Sequence, residues 1–212
     1  MPIKFISLNK KFIENMGGNY ESHLMKIQDY VPDKKTYYVS AANSLCFMDG
    51  GIDYALSRIV FPGIETVVKQ EVKCLNIKNM LGRAYLPIGS SIVIDYSSMK
   101  SLIVAPTMLL PQDVSGTSNA YYSTMAVLCN ILLNKNENID SIDIIFTSMC
   151  CGYGKMDEMT SIKQILAGIA DYQSYSYTAY DSDTIVSEPN LGEQPKIYQN
   201  TEWFGIRPED VL

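Results

Sequence analysis

Two short stretches carry the residues best suited to chemistry, CFMDGGID at 46–53 and CCGYGKMD at 150–157. Each places glycine between an apolar run that reads as a strand and a segment that reads as a helix. Glycine lets a backbone approach a ligand closely and adopt positive φ. Consecutive N–H groups at the helix start then become donors, and the helix dipole favours an anion there. Two such loops facing each other make a clamp suited to a diphosphate. Either loop alone reads more readily as a tight turn. Neither is a P-loop, because no Gly-Lys-Ser/Thr follows, and neither is GxGxxG.

Asn43 ends the run Ser40-Ala41-Ala42-Asn43, just ahead of the first loop. Its amide both donates and accepts, which suits the vicinal hydroxyls of a sugar. The alternative is an Asn that ties the loop to its own backbone, a role compatible with ligand contact. Asp53 is the acid best placed to orient a water for hydrolysis, with Asn43 positioning the sugar. A lone acid at a helix start is more commonly there for the dipole alone. Cys150 and Cys151 adjoin the second loop, where a helix N-terminus can lower a thiol pKa. The one histidine, His23, is remote in sequence, so the pair reads better as small buried residues ending a strand. Arg58 and Lys155 are candidate charges for the same pocket, or solvated surface residues.

These loops need elements to hold them. Strands are expected over 2–8, 22–30, 36–42, 91–96, 101–105 and 141–149, each an apolar or β-branched run. Helical spacing marks 10–16, 52–60, 64–75, 117–133 and 161–172, with Pro62-Gly63 separating the second from the third. Alternation of the two types predicts an α/β domain with a largely parallel central sheet. In such sheets ligands bind beyond the carboxyl ends of the strands, which is where both glycine loops fall. From 173 to 212 the composition turns polar and Tyr-rich, so the folded domain is expected over 1–172 with a C-terminal extension after it.

Composition bounds the function. The chain has 212 residues, 47% hydrophobic and 19% charged, an ordinary globular mixture. A net charge of −6 argues against a broad nucleic-acid-binding face. Five cysteines without a C-x-x-C, and a single histidine, point to reduced thiols and to no structural metal site. No signal-like h-region and no membrane-length apolar run is present, so a cytoplasmic protein without membrane association is expected. No cofactor is implied.

SAAN followed by DGGIDYAL resembles the macro domain signature, an Asn-Ala-Ala-Asn run, a glycine cluster and Val-Asp-Gly-Ala-Ile at a helix start. The stretches LIVAPTMLLPQDVSGTSNAYYSTMAVL and MCCGYGKMDEMT look like the second half of a divergent member, and the resemblance covers roughly 20–172. It implies a three-layer α/β/α fold with a mixed, largely parallel sheet, and binding of ADP-ribose or an ADP-ribosylated protein. By position, Asn43 would meet the distal ribose. Ala42, Gly50, Gly51 and Ile52 would line one side of the diphosphate, and Cys151, Gly152, Tyr153 and Gly154 the other. Asp29 would accept the adenine amino group, or is simply a turn acid. The chain departs from the family at Ser40 for Asn, at Asp49 beside the glycines, and at Ser57, where many hydrolytic members have His.

Three readings follow. The first is a module that binds ADP-ribose or a related nucleotide diphosphate. The second is a hydrolase of ADP-ribose derivatives, an ADP-ribosyl hydrolase or ADP-ribose phosphate phosphatase, with Asp53 and Asn43 catalytic. The third is a structural or interaction protein whose pocket is plugged by Phe47, Met48 or the C-terminal segment. Binding is the leading one, because the binding constellation is intact and the catalytic one is weakened.

Overall fold

The computed structural model describes residues 3–18, 20–134 and 138–174. The C-terminal extension expected from 173 lies almost wholly outside the described residues. Six strands form one sheet in the order β2-β1-β6-β3-β5-β4. They are β1 (Ile3–Ser7), β2 (Glu21–Leu24), β3 (Lys35–Ser40), β4 (Ile92–Asp95), β5 (Lys100–Val104) and β6 (Ile142–Phe146). Every pairing is parallel except β4 with β5. The mixed, largely parallel sheet is therefore as expected, and its one antiparallel strand is an edge.

Strand alternation builds two cores. In β3, Tyr37 and Val39 face one layer with Phe5, Ile103 and Ile144. Tyr38 faces the other with Leu102, Val104 and Ile145. All are essentially inaccessible, as the near-continuous apolar runs of a parallel sheet covered on both sides require. The first layer is completed by α1 (Lys10–Met16), α4 (Asn119–Leu128) and α5 (Glu158–Ser174). The second is completed by α2 (Gly51–Ala55) and α3 (Ile64–Cys74). Among these helices, α2 continues as a π turn over Leu56–Val60 and α4 as another over Cys129–Asn134.

The elements that end at the cleft have identifiable stops. Asn9 caps α1 by accepting from Phe12 N–H at 3.0 Å, a contact worth about 1 kcal/mol. The same side chain donates to Glu158 Oε1 at 2.7 Å and so ties the start of α1 to the start of α5. The strand expected over 22–30 is shorter: β2 stops at Leu24, and Ile27–Asp29 is a 3₁₀ turn. Lys26, with extended backbone, leads into it, and Ile27 turns inward to the core. Likewise β3 stops at Ser40 and β6 at Phe146, so Ala41–Asn43 and Thr147–Met149 belong to loops.

Candidate functional site

A cleft of about 780 Å³ is lined by the segments that follow β1, β2, β3, β5 and β6. All five strands run parallel, so their carboxyl ends share one rim. Read in sheet order, the rim passes from 25–28 after β2, through 7–9 after β1 and 147–153 after β6, to 41–53 after β3 and 107–111 after β5. Four strand spacings separate its ends, roughly 19 Å at about 4.8 Å each, the length of an extended dinucleotide-like ligand.

The two glycine loops meet in the middle. A Cβ built on Gly50 would lie 3.4 Å from Cε2 of Tyr153, so the tyrosine ring rests against the first loop. Tyr153 is 66% exposed and lines the cleft, with Gly152 and Cys151 beside it. On the facing side are Gly50, Gly51 and Ile52. Gly51 sits at φ +56°, in the left-handed region, with nothing within 4 Å of where a Cβ would stand. The backbone there is turned in a way a side chain disfavours, and the space above it is open.

Asn43 lines the cleft and also braces its own loop. Its Nδ2 donates to the Phe47 carbonyl at 2.9 Å, and its Oδ1 accepts from Phe47 N–H at 3.2 Å. The brace weighed for it from sequence is therefore present, and it leaves the residue on the wall of the cleft. Asp53 lines the same end and is only 7% exposed. Ser40 Oγ donates to its Oδ1 at 2.6 Å, while Oδ2 has no hydrogen-bond partner among the described residues. Burial pushes its pKa up to about 6, with Asp49 adding to the rise and the Ser40 hydroxyl opposing it.

The remaining candidates sort by position. Ala42 is buried in the second core, behind the rim. Gly154 is buried beneath the second loop, and Asp29 is exposed outside the lining. A Cβ on Gly154 would press on the Cys150 carbonyl oxygen and stand 2.7 Å from Val114 Cγ2. The backbone there must give way, so Gly154→Ala is expected to cost about 1–3 kcal/mol. Urea unfolding checks this, with Gly152→Ala, which meets nothing within 4 Å, as the near-neutral control.

Cys150 is not a poised nucleophile, because burial pushes its thiol up to about 12. Cys151 is also raised, by burial first. His23 pairs with Glu21 at 2.9 Å, Arg58 with Glu65 at 3.2 Å and Lys155 with Asp113 at 3.8 Å, and none of the three lines the cleft. Met48 is fully buried in the core and Phe47 lies on the rim at 40% exposure, under Lys69 Nζ at 5.2 Å. Neither fills the cleft, as the structural reading required of them.

Several lining residues were not singled out from sequence: Ser7, Asn9, Lys26, Gln28, Thr107 and Ser148. Their signal was their place at, or within a few residues of, the carboxyl end of a strand of the parallel sheet. Among the described residues, no group of three or more His, Cys, Asp or Glu side chains is placed to hold a metal ion. No helix among them is long and apolar enough to cross a membrane.

Solved structures share this fold. A mutant macrodomain of Oceanobacillus iheyensis with ADPR matches at a TM-score of 0.54 and 16% identity, over 72% of this chain and 77% of that one. The macrodomain of the same organism with ADP matches at 0.53 and 18%, over 72% and 75%. The macrodomain of Mycobacterium tuberculosis DarG matches at 0.50 and 18%, over 66% and 83%. The chain has the macrodomain fold. No family sequence model matches it, and no curated protein does. At 16–18% identity the likeness lies in the fold rather than in the sequence. Within that macrodomain frame, Ser40 touches Asp53 and Ser57 donates to the Met48 carbonyl at 2.9 Å, so two of the departures from the family pattern are built into the first loop's support.

Proposed function

We infer that this chain binds ADP-ribose or a related nucleotide diphosphate in the cleft. The observation that carries the reading is the meeting of two glycine loops, through Tyr153 and Gly50, halfway along a rim of dinucleotide length. Backbone N–H groups of such loops can hold a diphosphate without lysine or arginine. That suits a cleft whose middle carries neither. Asn43, Phe47, Thr107 and Met108 then surround the distal sugar. Gly50, Gly51 and Ile52 face Cys151, Gly152 and Tyr153 across the diphosphate. The solved macrodomains with ADPR and with ADP support the same ligand class.

Calorimetric titration with ADP-ribose, with AMP and NAD alongside, tests the reading. Selective binding of ADP-ribose is expected, weakened in Asn43→Ala because both the sugar contact and the 43–47 loop brace are lost. No heat from a demonstrably folded protein, with any of the three, would end it.

Turnover is a separate proposal. It rests on Asp53, whose Oδ2 is without a partner at the sugar end and whose pKa near neutrality suits proton transfer. Release of product from ADP-ribose 1″-phosphate or an ADP-ribosylated peptide, lost in Asp53→Ala, is the assay. Tight binding with no product would leave a binding module.

A further inference from the structure

The span between the glycine loops and the 25–28 end of the cleft is lined by a pair of hydroxyls. β1 and β6 are parallel neighbours, with Phe5 opposite Phe146. The same register carried two residues on sets Ser7, the last residue of β1, beside Ser148. Their Oγ atoms are 3.1 Å apart, and either can be the donor. Ser7 Oγ also accepts from Asn9 N–H at 3.0 Å, which holds the side chain in place. Ser7 is only 9% exposed, and both serines line the cleft.

Counting protons shows what the pair offers. Two serine hydroxyls carry two protons and four acceptor lone pairs. One proton is spent between the two oxygens, whichever way it runs. The other has no acceptor among the described residues. On the acceptor side, Asn9 N–H and the shared proton occupy two lone pairs and leave two. The pair therefore presents one donor and open acceptor capacity from two adjacent oxygens, and the shared proton can reverse its direction to suit a ligand. A phosphate oxygen only accepts, so it would use the donor and leave the acceptors idle. A vicinal cis-diol both gives and takes, and its two oxygens are spaced about as closely as those of the serine pair.

Position along the rim says which diol. In sheet order the 25–28 segment comes first, then Ser7 and Ser148, then the meeting of Gly50 with Tyr153, then Asn43. The seam between β1 and β6 lies one strand spacing, about 4.8 Å, from the seam between β6 and β3 where the glycine loops meet. It lies on the side away from Asn43. In a nucleoside diphosphate the group one step from the phosphates, on that side, is the ribose that carries the base.

We propose that Ser7 and Ser148 together hold the 2′,3′-diol of the base-bearing ribose, and that the cleft accordingly prefers ribonucleotides to their deoxy counterparts. The proposal rests on the binding reading above and adds a recognition element to it. A ligand lacking one of the two hydroxyls leaves the serine pair with a polar atom unmatched, a loss of roughly ten-fold in affinity.

Titration of the full chain with ADP, 2′-deoxyADP and 3′-deoxyADP tests it. ADP is expected to bind roughly ten-fold tighter than either analogue. Ser148→Ala should bring the three nearly level, chiefly by weakening ADP. Ser7→Ala should do the same at some cost in stability, because Asn9 N–H loses its acceptor. The ratio of affinities within one variant is insensitive to that cost. Equal affinities for ADP and both deoxy analogues in the unmodified protein would overturn the assignment and leave nucleotide binding standing. So would a Ser148→Ala protein that keeps the ten-fold ratio, because the pair would then be holding a phosphate or only its own loops. Absence of binding by ADP itself would instead remove the reading on which the proposal rests.

Discussion

Gly51→Glu is expected to abolish ADP-ribose binding while leaving the fold nearly intact. Gly51 lines the cleft at φ +56°, and a Cβ there meets no atom within 4 Å. The structural cost is therefore the left-handed backbone alone, about 1–2 kcal/mol for a residue with a Cβ. The binding cost is larger. A glutamate at this position reaches into the span proposed to hold the diphosphate. Two like charges ~4 Å apart at an effective dielectric near 20 repel by about 4 kcal/mol, roughly three orders of magnitude in Kd. Gly51→Gln separates the contributions, because it fills the same volume without the charge and should lose less. Gly51→Ala reports the backbone strain on its own. Calorimetry gives the affinities, and thermal unfolding of each variant shows the fold is retained. A Gly51→Glu protein that binds ADP-ribose with unchanged Kd would take the first loop out of the site.

The same residue shows what a sequence reveals and where it stops. Gly50-Gly51 and Gly152-Tyr153 could be placed on the rim because strand, loop and helix alternate there, and an α/β sheet puts such loops at one edge. Glycine marks both a position of open approach and one of tight packing, however, and the letter is the same. Gly51 is the first kind and Gly154 the second, distinguished only by Val114 and the Cys150 carbonyl lying against it. Asp29 fell outside the lining for a similar reason. The apolar spacing of 22–30 fits a strand, but β2 ends at Leu24 and the chain turns through a 3₁₀ segment. Which side chains of such a segment reach the cleft depends on its exact start, and those that do are Lys26 and Gln28. Propensity cannot set that register, because packing of Ile27 into the core does. The antiparallel edge strand was hidden likewise: IVID and KSLIV are runs of the same kind, and only the tight turn through Ser97 and Lys100 shows that they are antiparallel neighbours.

Asp53 is expected to contribute a loss of stability as pH rises from about 4 to about 6. Its carboxyl titrates near 3.8 when unfolded and is pushed up to about 6 in the fold, chiefly by burial. The folded protein therefore binds the proton more tightly than the unfolded chain. The favourable contribution is complete below the unfolded value and is lost as pH passes through the folded one. Two units at about 1.4 kcal/mol each put the loss at about 3 kcal/mol by pH 7. Asp53→Asn should flatten this slope, since the amide stays neutral and its Oδ1 can still accept from Ser40 Oγ. Urea unfolding at pH 4.5 and pH 7.5 of both proteins gives the comparison, the difference between the two slopes cancelling every other titrating group. Ligand affinity should move with it. A bound diphosphate makes ionising Asp53 costlier still, so ADP-ribose binding should weaken above pH 6 in the unmodified protein and stay level in Asp53→Asn. Parallel slopes in the two proteins would mean that the carboxylate is already well solvated at neutral pH. The buried acid at the sugar end of the cleft would then be neither the source of the pH dependence nor a proton donor for the chemistry proposed there.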